Sequence, residues 1–485
     1  MIRKGDQAME LIHNDDAVVL AFGNTYEFNE RYNSGLPTTD LVTRRRLKES
    51  FGISGDLALF WGGIASHRVV VTPQKPNSVY MRYLEEQLDV SITALTPRLR
   101  TGWVCRDLLS DGATMSRLVA AIGGRSVRVL AWGATADYYA LLDTLRERGV
   151  QIVHHDFPAV EDRWVVDYCD SKTGARALLQ HMTPTNLDIQ VPPGFICHNL
   201  AEAGGLASFL HAHHVAPVVI KSDWGNGGKA VRILNSDAHG QTFATVWARF
   251  VSEVQGDALW DHSALTVEEC VGLGQDLTTP SVDGYIDSGG TVHVLGVQNM
   301  LTIEQRCVGF EMGNNVFPHD LESRLRSIVK HVGDQLSLFG YRGWFDIDFL
   351  LPNDGSLLFI SEINPRRTGG SSPLAFASKR LGDSWSDAYH LKVNERLELS
   401  RPTSIARLMN IVLDLNARYS SSSAEIIPLH VRGLSLRQPY VGYVIYARTK
   451  EVALEIEEDF ISAIRRVAES VNAKTHEPAT ISASL

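Results

Sequence analysis

Four oxygen-bearing side chains, Asp346, Asp348, Glu362 and Asn364, interrupt two otherwise apolar strand-like runs in FDIDFLLPNDGSLLFISEINPRRTGG, Phe345 to Gly370. Side chains two apart on a strand share a face, so Asp346 goes with Asp348 and Glu362 with Asn364. A three-residue connection through Asn353, Asp354 and Gly355, with glycine in the left-handed position, sets Pro352 against Ser356. Asp346 then stands opposite Glu362, with Asp348 diagonal to it. Carboxylates gathered in this way repel and raise one another's pKa, which a divalent cation relieves. Oxygen ligands favour magnesium or manganese, completed by waters and substrate phosphates. An acidic sheet edge in solvent, or a salt-bridge network with Arg366 and Arg367, also satisfies the pattern.

A second stretch, VVIKSDWGNGGKAVRIL from Val218 to Leu234, has two β-rich runs flanking Gly225, Asn226, Gly227 and Gly228. Backbone N–H groups in such a tip can close over phosphate oxygens, because no Cβ blocks the approach. It is not a Walker loop: Asp223 stands where the first glycine belongs and Ala230 where the magnesium-binding Ser or Thr belongs. A plain hairpin tip is the other reading. Lys221 precedes the tip, and a lysine facing inward there needs an anion. The cluster HAHH, His211 to His214, has no second ligand group nearby and marks a helix end rather than a metal site.

These residues need a scaffold, and the alternation of apolar runs supplies one. DAVVLAFGN, LALFWGG and SVRVLAWGA read as strands, the last leading into the helical pattern ADYYALLDTLRERGV with Gly149 at its C-terminus. VQIVHHDF follows as another strand, which gives a βαβ unit and an open parallel sheet. FGN and WGG lack the G-x-G-x-x-G spacing of a dinucleotide loop and read as tight strand-to-helix turns. DSKTGARALLQHM then opens a helix, and DIQVPPGFIC is an extended entry into a strand. From Ala216 to about Leu351 the pattern is strand pairs with one helix, HDLESRLRSIVKHVGDQLSLFG; helices around SIARLMNIVLDLNARY and EEDFISAIRRVAESV flank strands near EIIPLHVRGLSL and VGYVIYART at the C-terminal end. Three domains are expected: an α/β domain over 1–165, a two-lobed α+β domain over 166–395, and a small α+β domain over 396–485.

With 44% apolar and 21% charged residues the 485-residue chain has a globular composition. A formal charge of −10 argues against sequence-independent nucleic-acid binding. Five scattered cysteines without a CxxC pair read as reduced thiols, and no apolar run reaches the length of a membrane span, so a cytoplasmic protein is expected. A homodimer is the commonest oligomer and is expected on that ground alone.

The order of the motifs resembles the ATP-grasp ligase superfamily over about Val166 to Arg396: a lysine opening a helix (Lys172), a strand lysine before a glycine hairpin (Lys221, then Gly225 to Gly228), the acidic hinge VEECVG, and a D-x(13)-E-x-N hairpin. The resemblance implies that ATP and Mg2+ or Mn2+ bind here. Lys172 and Lys221 would contact phosphates, Glu268, Glu269 and Val271 would border the adenine, and Asp348, Glu362 and Asn364 would hold the metal. Relatives carry a glutamate for the ribose beyond the hinge; this chain offers Gln275 or Asp276.

The finer arrangement is similar to the pheganomycin-type peptide ligases, which join a carboxylate to the amine of an amino acid or peptide in specialised metabolism. The implied reaction passes through an acyl phosphate, with Arg366, Arg367 and the backbone of RRTGGSSP contacting anionic groups and Arg306 a substrate carboxylate. A biotin-carboxylase-like or carbamoyl-phosphate-type activity is the enzymatic alternative, since EINPR resembles those relatives too, and a non-catalytic nucleotide-binding regulator is the other.

Overall fold

The computed structural model describes residues 17–30, 41–63, 65–182, 190–213, 217–225, 230–235, 241–261, 263–272, 277–303, 306–352, 357–382 and 384–470. Strands β1 (Val18–Phe22), β2 (His67–Val71), β3 (Ser91–Leu95), β4 (Val127–Ala131) and β5 (Ile152–His155) form a parallel sheet in the order β3-β2-β1-β4-β5. Helices Ser78–Leu88, Gly112–Ile122 and Ala136–Glu147 connect them. Strands β1 and β4 are buried along their whole length, as parallel strands covered on both faces must be.

One expected strand is absent. Residues Gly55–Leu59 form a 3-10 helix, fully buried, and Phe60, Trp61 and Gly62 leave it in a turn. The guanidinium of Arg68 donates to the carbonyls of Leu59, Phe60 and Gly63 at 2.9–3.2 Å, so these groups need no neighbouring strand. Burial on all sides made LALFWGG look like a strand, because periodicity cannot separate the two. Gly23 lets the turn after β1 pack on this helix, since a Cβ there would lie 2.2 Å from the Gly55 carbonyl oxygen.

Strands β6 (Gly194–Cys197), β7 (Val218–Ser222), β8 (Val231–Leu234) and β9 (Leu265–Glu269) make an antiparallel sheet in the order β6-β9-β7-β8. Helices Leu200–Ala212 and Phe243–Val254 cover it, giving this lobe its own apolar core. The second of these helices corrects the expectation of a single helix between Ala216 and Leu351. Its signal was present: Thr242 caps it, and Phe243, Val246, Phe250 and Val254 bury one helical face.

The third sheet holds β10 (Leu277–Thr278), β11 (Pro280–Ile286), β12 (Val292–Ile303), β13 (Arg306–Gly313), β14 (Gly343–Pro352), β15 (Phe359–Asn364), β16 (His390–Glu398), β17 (Glu425–Pro428) and β18 (Tyr440–Ala447). Its order is β10-β14-β11-β12-β13-β16-β18-β17, with β15 also paired to β14. Helix His319–Leu338 packs on β11 and β12, while Ile405–Arg418 and Lys450–Ser470 cover the C-terminal strands. The boundary expected between 395 and 396 falls inside β16, and the C-terminal strands continue the sheet that carries the acidic hairpin. A continuous apolar core runs beneath this sheet and the parallel one. No helix among the described residues is long and apolar enough to cross a membrane.

Candidate active site

The acidic hairpin is formed by β14 and β15, but in a different register from the expected one. Asp346 pairs with Asn364 and Asp348 with Glu362. A β-bulge between Asp348 and Phe349, which pairs with Ile360, leaves Ser361 without a partner and shifts the acids by one position. Leu350 pairs with Phe359, so the connection supplies a second position; its residues 353–356 lie outside the described ones. Strand β11 enlarges the cluster, with Ser281 opposite Asp348 and Asp283 opposite Asp346.

Within the cluster Ser281 Oγ donates to Asp346, and Asn364 Nδ2 donates to Asp346 Oδ1 at 2.9 Å and Asp348 Oδ2 at 3.2 Å. Gln298 Nε2 donates to Ser281 Oγ and Asp283 Oδ2, both at 3.0 Å. Burial, then the Asp283 charge, raises the Asp346 carboxyl above the ordinary carboxylate range. Burial followed by Asp346 and Glu362 does the same to Asp348. The donor set is all oxygen and short of positive charge, which fits a hard divalent cation. Among the described residues no three His, Cys, Asp or Glu side chains make a ready metal cage. Magnesium takes one or two carboxylates and completes its shell with water and phosphate.

The two lysines approach this cluster from different elements. Ser171 caps the helix Lys172–His181, its Oγ accepting from Gly174 N at 2.9 Å, which fixes Lys172 at the first helical position. Lys172 Nζ donates to the Gly225 carbonyl at 3.0 Å and lies 3.4 Å from Glu362 Oε1. Asp223 clamps the glycine hairpin to this helix: its Oδ1 accepts from both N and Oγ1 of Thr173 at 2.8 Å. On β7, Lys221 Nζ pairs with Glu268 Oε2 at 2.7 Å. Glu268 also takes Arg176 Nη1 at 3.1 Å, so its carboxylate holds two cations while the residue lines the cavity. Gly225 faces Ala230, and a Cβ there would collide with that methyl. Asn226, Gly227, Gly228, Gln275 and Asp276 lie outside the described residues.

A cavity of about 720 Å³ opens between the four-stranded lobe and the large sheet. Val219, Val231, Ile233, Phe349 and Leu350 form an apolar slot, and Glu269 at the end of β9 also lines the cavity, as do Cys270 and Val271 after it. Asp346, Asp348, Glu362 and Asn364 line its acidic wall. Beyond them it continues past Thr25, Asn29, Phe51 and Trp132 of the N-terminal domain and past Met300 and Phe310 of the large sheet.

The arginines separate. Arg366 lines the cavity, donating from Nε to Asp170 Oδ1 at 3.0 Å and from Nη2 to Asn364 Oδ1 at 2.7 Å. Arg367 was expected beside the substrate and is instead buried away from the cavity wall. Its Nη2 meets Asp156 Oδ2 at 2.6 Å, and its guanidinium lies 4.9 and 4.7 Å from the ring centres of Trp61 and Trp344. Both arginines follow the end of β15 at Asn364, outside the strand, and Arg367 turns inward. Arg306 is exposed at the start of β13 and does not line the cavity. In RRTGGSSP only Arg366, Thr368 and Gly369 reach the cavity. Ser371 and Ser372 are buried, with Ser372 Oγ bonded to Trp61 Nε1 and the Leu57 carbonyl. Sequence reasoning missed Ser281, Asp283 and Gln298. PSVDGYI repeats the two-residue spacing of the acidic hairpin, a signal for the first two; Gln298 had none.

No family model matches the chain. Over 106 residues it is 32% identical to L-propargylglycine–L-glutamate ligase of Streptantibioticus cattleyicolor, a match covering 21% of each chain. The chain thus spans about a fifth of that curated relative's length. Among solved structures, an N5-carboxyaminoimidazole ribonucleotide synthetase in its ADP complex is 13% identical at a TM-score of 0.52, covering 93% of this chain and 98% of the other. The synthase from Aspergillus clavatus with ADP and 5-aminoimidazole ribonucleotide gives 12% and 0.52, covering 93% and 100%. The biotin carboxylase domain of Hydrogenobacter thermophilus 2-oxoglutarate carboxylase gives 12% and 0.50, covering 91% and 89%. At these identities the likeness is one of fold.

Proposed function

We propose that this chain, which has the ATP-grasp fold of those structures, is an ADP-forming carboxylate–amine ligase acting through an acyl phosphate. The observation that carries the reading is that Glu362 of the acidic hairpin, which lines the large cavity together with Lys221, lies 3.4 Å from Lys172 Nζ at the helix start. Phosphate-neutralising and cation-holding groups are far apart in sequence and adjacent only here. The local match to an amino-acid ligase supports the choice of an amine acceptor.

In this reading the apolar slot takes the adenine, and backbone groups of Glu269 to Val271 meet its polar edge. Lys172 and Lys221 balance the charge on the phosphates as the γ-phosphoryl passes to the substrate carboxylate. Asp348, Glu362 and Asn364 are the residues that would hold magnesium, which supplies charge neutralisation and alignment of phosphate oxygens. Arg366, fixed by Asp170, points a guanidinium at the same wall, where it can grip the carboxylate or its phosphate. No protein nucleophile is required, so positioning and electrostatics carry the rate.

The test is phosphate release from ATP and magnesium while amino acids and short peptides are offered in pairs, with products read by mass spectrometry. Pair-dependent release, a product lighter by one water than its substrates, and loss of both in Glu362→Gln are the expected results. ATP turnover that no carboxylate stimulates, or a Glu362→Gln variant with undiminished activity, overturns the reading.

A further inference from the structure

One carboxylate on the cavity wall belongs neither to the acidic hairpin nor to the hinge. Glu395 sits where β16 breaks its pairing with β18: Asn394 faces Tyr443 and Leu397 faces Val441, so Glu395 and Arg396 together oppose Gly442. Bulges of this kind re-aim side chains. Arg396 turns away, to Glu398 at 3.2 Å and over the Tyr440 ring at 4.1 Å. Glu395 turns into the cavity beside Cys307, Phe310 and Gly369. Two glycines make this placement fit. A Cβ on Gly369 would collide with Glu395 Oε1, and one on Gly442 with the Glu395 carbonyl.

Among the described residues no hydrogen bond or ion pair engages this carboxylate. Lys392, on the same strand, is held by Glu311 at 3.8 Å and Glu457 at 3.5 Å. Burial alone pushes the Glu395 carboxyl up to about 7. A half-buried acid without a partner costs stability unless something completes it, and the cavity leaves room for that partner to arrive as a ligand.

We propose that Glu395 receives the ammonium group of the amine substrate and accepts one of its protons. This rests on the ligase reading and names the group that selects the second substrate: a cationic primary or secondary amine rather than an anionic or purely apolar nucleophile. The ammonium gives one proton to Glu395. The freed nitrogen lone pair forms the C–N bond at the acyl carbon, the C–O bond to phosphate breaks, and phosphate leaves with that electron pair. A second nitrogen proton goes to the departing phosphate. No oxidant or further reactant is needed.

The experiment separates acyl activation from amine capture. The twenty L-amino acids serve as acids, with either L-amino acids or hydroxylamine as nucleophile; hydroxylamine is uncharged at neutral pH and traps acyl phosphates as hydroxamates. For Glu395→Gln, hydroxamate formation is expected to stay within about twofold of wild type, while amide formation falls at least about a hundredfold, the scale of a lost proton acceptor. Glu395→Asp should recover part of it, with a raised KM for the amine and an unchanged KM for ATP. Equal loss of hydroxamate and amide, or amide formation that survives Glu395→Gln, overturns the assignment while leaving the ligase reading in place. Failure of the wild type to form any hydroxamate or amide overturns both.

Discussion

Asp348 is half-buried beside Asp346 and Glu362, and both neighbours raise its carboxyl. Asp348→Asn removes that repulsion, so the free variant should melt no lower than wild type. It should also lose the stabilisation that MgADP gives, which for a ligand at a hundred times its Kd is about 2.7 kcal/mol. Thermal melts with and without MgADP check both halves. The neighbouring arginines should divide in the opposite sense. Arg367→Ala leaves Asp156 buried with its main charge partner gone and should cost about 3–5 kcal/mol in urea unfolding. Arg366→Lys should preserve the fold and lower kcat, because a lysine cannot reproduce the guanidinium's separate bonds to Asp170 and Asn364.

At the scale of an element, the start of the helix Lys172–His181 positions a phosphate ligand through its cap. Gly174 packs against the preceding turn so closely that a Cβ would lie 2.0 Å from the Tyr168 carbonyl oxygen. Gly174→Ala must therefore shift the helix start, and with it Lys172. The expected outcome is a KM for ATP raised by about tenfold, equivalent to 1.4 kcal/mol, with little change in KM for the other substrates. Ser171→Ala should show a weaker form of the same effect, since it loses the cap and the hydroxyl's bond to the Tyr168 carbonyl but forces no backbone shift. Steady-state kinetics with each substrate varied in turn distinguishes these outcomes from general destabilisation.

For the whole molecule, stability is linked to pH through buried groups that do not line the cavity. Burial, with Arg432 and Arg396 adding to it, lowers the His430 imidazole from 6.5 to about 4. The native state then binds fewer protons than the unfolded chain between those values. Stability contributed by the neutral ring is complete above pH 6.5 and is lost as pH falls toward 4, by about 3 kcal/mol over the full window. His430→Gln should flatten the fall in Tm between pH 7 and pH 5 relative to wild type. Glu27, raised to about 7 by burial, acts in the opposite direction, but it is common to both proteins and cancels in the comparison.

Local chemistry was legible in the sequence wherever the residues that act together are close in the chain. The acids of β14 and β15 lie within one hairpin, so their clustering followed from strand alternation, and the capped helix at Lys172 and the glycine hairpin after Lys221 were equally local. The helix Phe243–Val254 was also written in its spacing and was overlooked. What the sequence could not determine depends on long-range register and direction. A bulge at Ser361 and one further position in the connection together changed which acids face each other. The apparent strand LALFWGG is instead the end of a 3-10 helix, Gly55–Leu59, and a turn whose carbonyls are served by Arg68. Of two consecutive arginines, only the tertiary structure decided which enters the cavity and which stacks between Trp61 and Trp344. Glu395 carries no local signal at all. Its place opposite Gly442 and beside Gly369 exists only once three separate segments pack, because free volume and the absence of a partner are properties of the packed molecule.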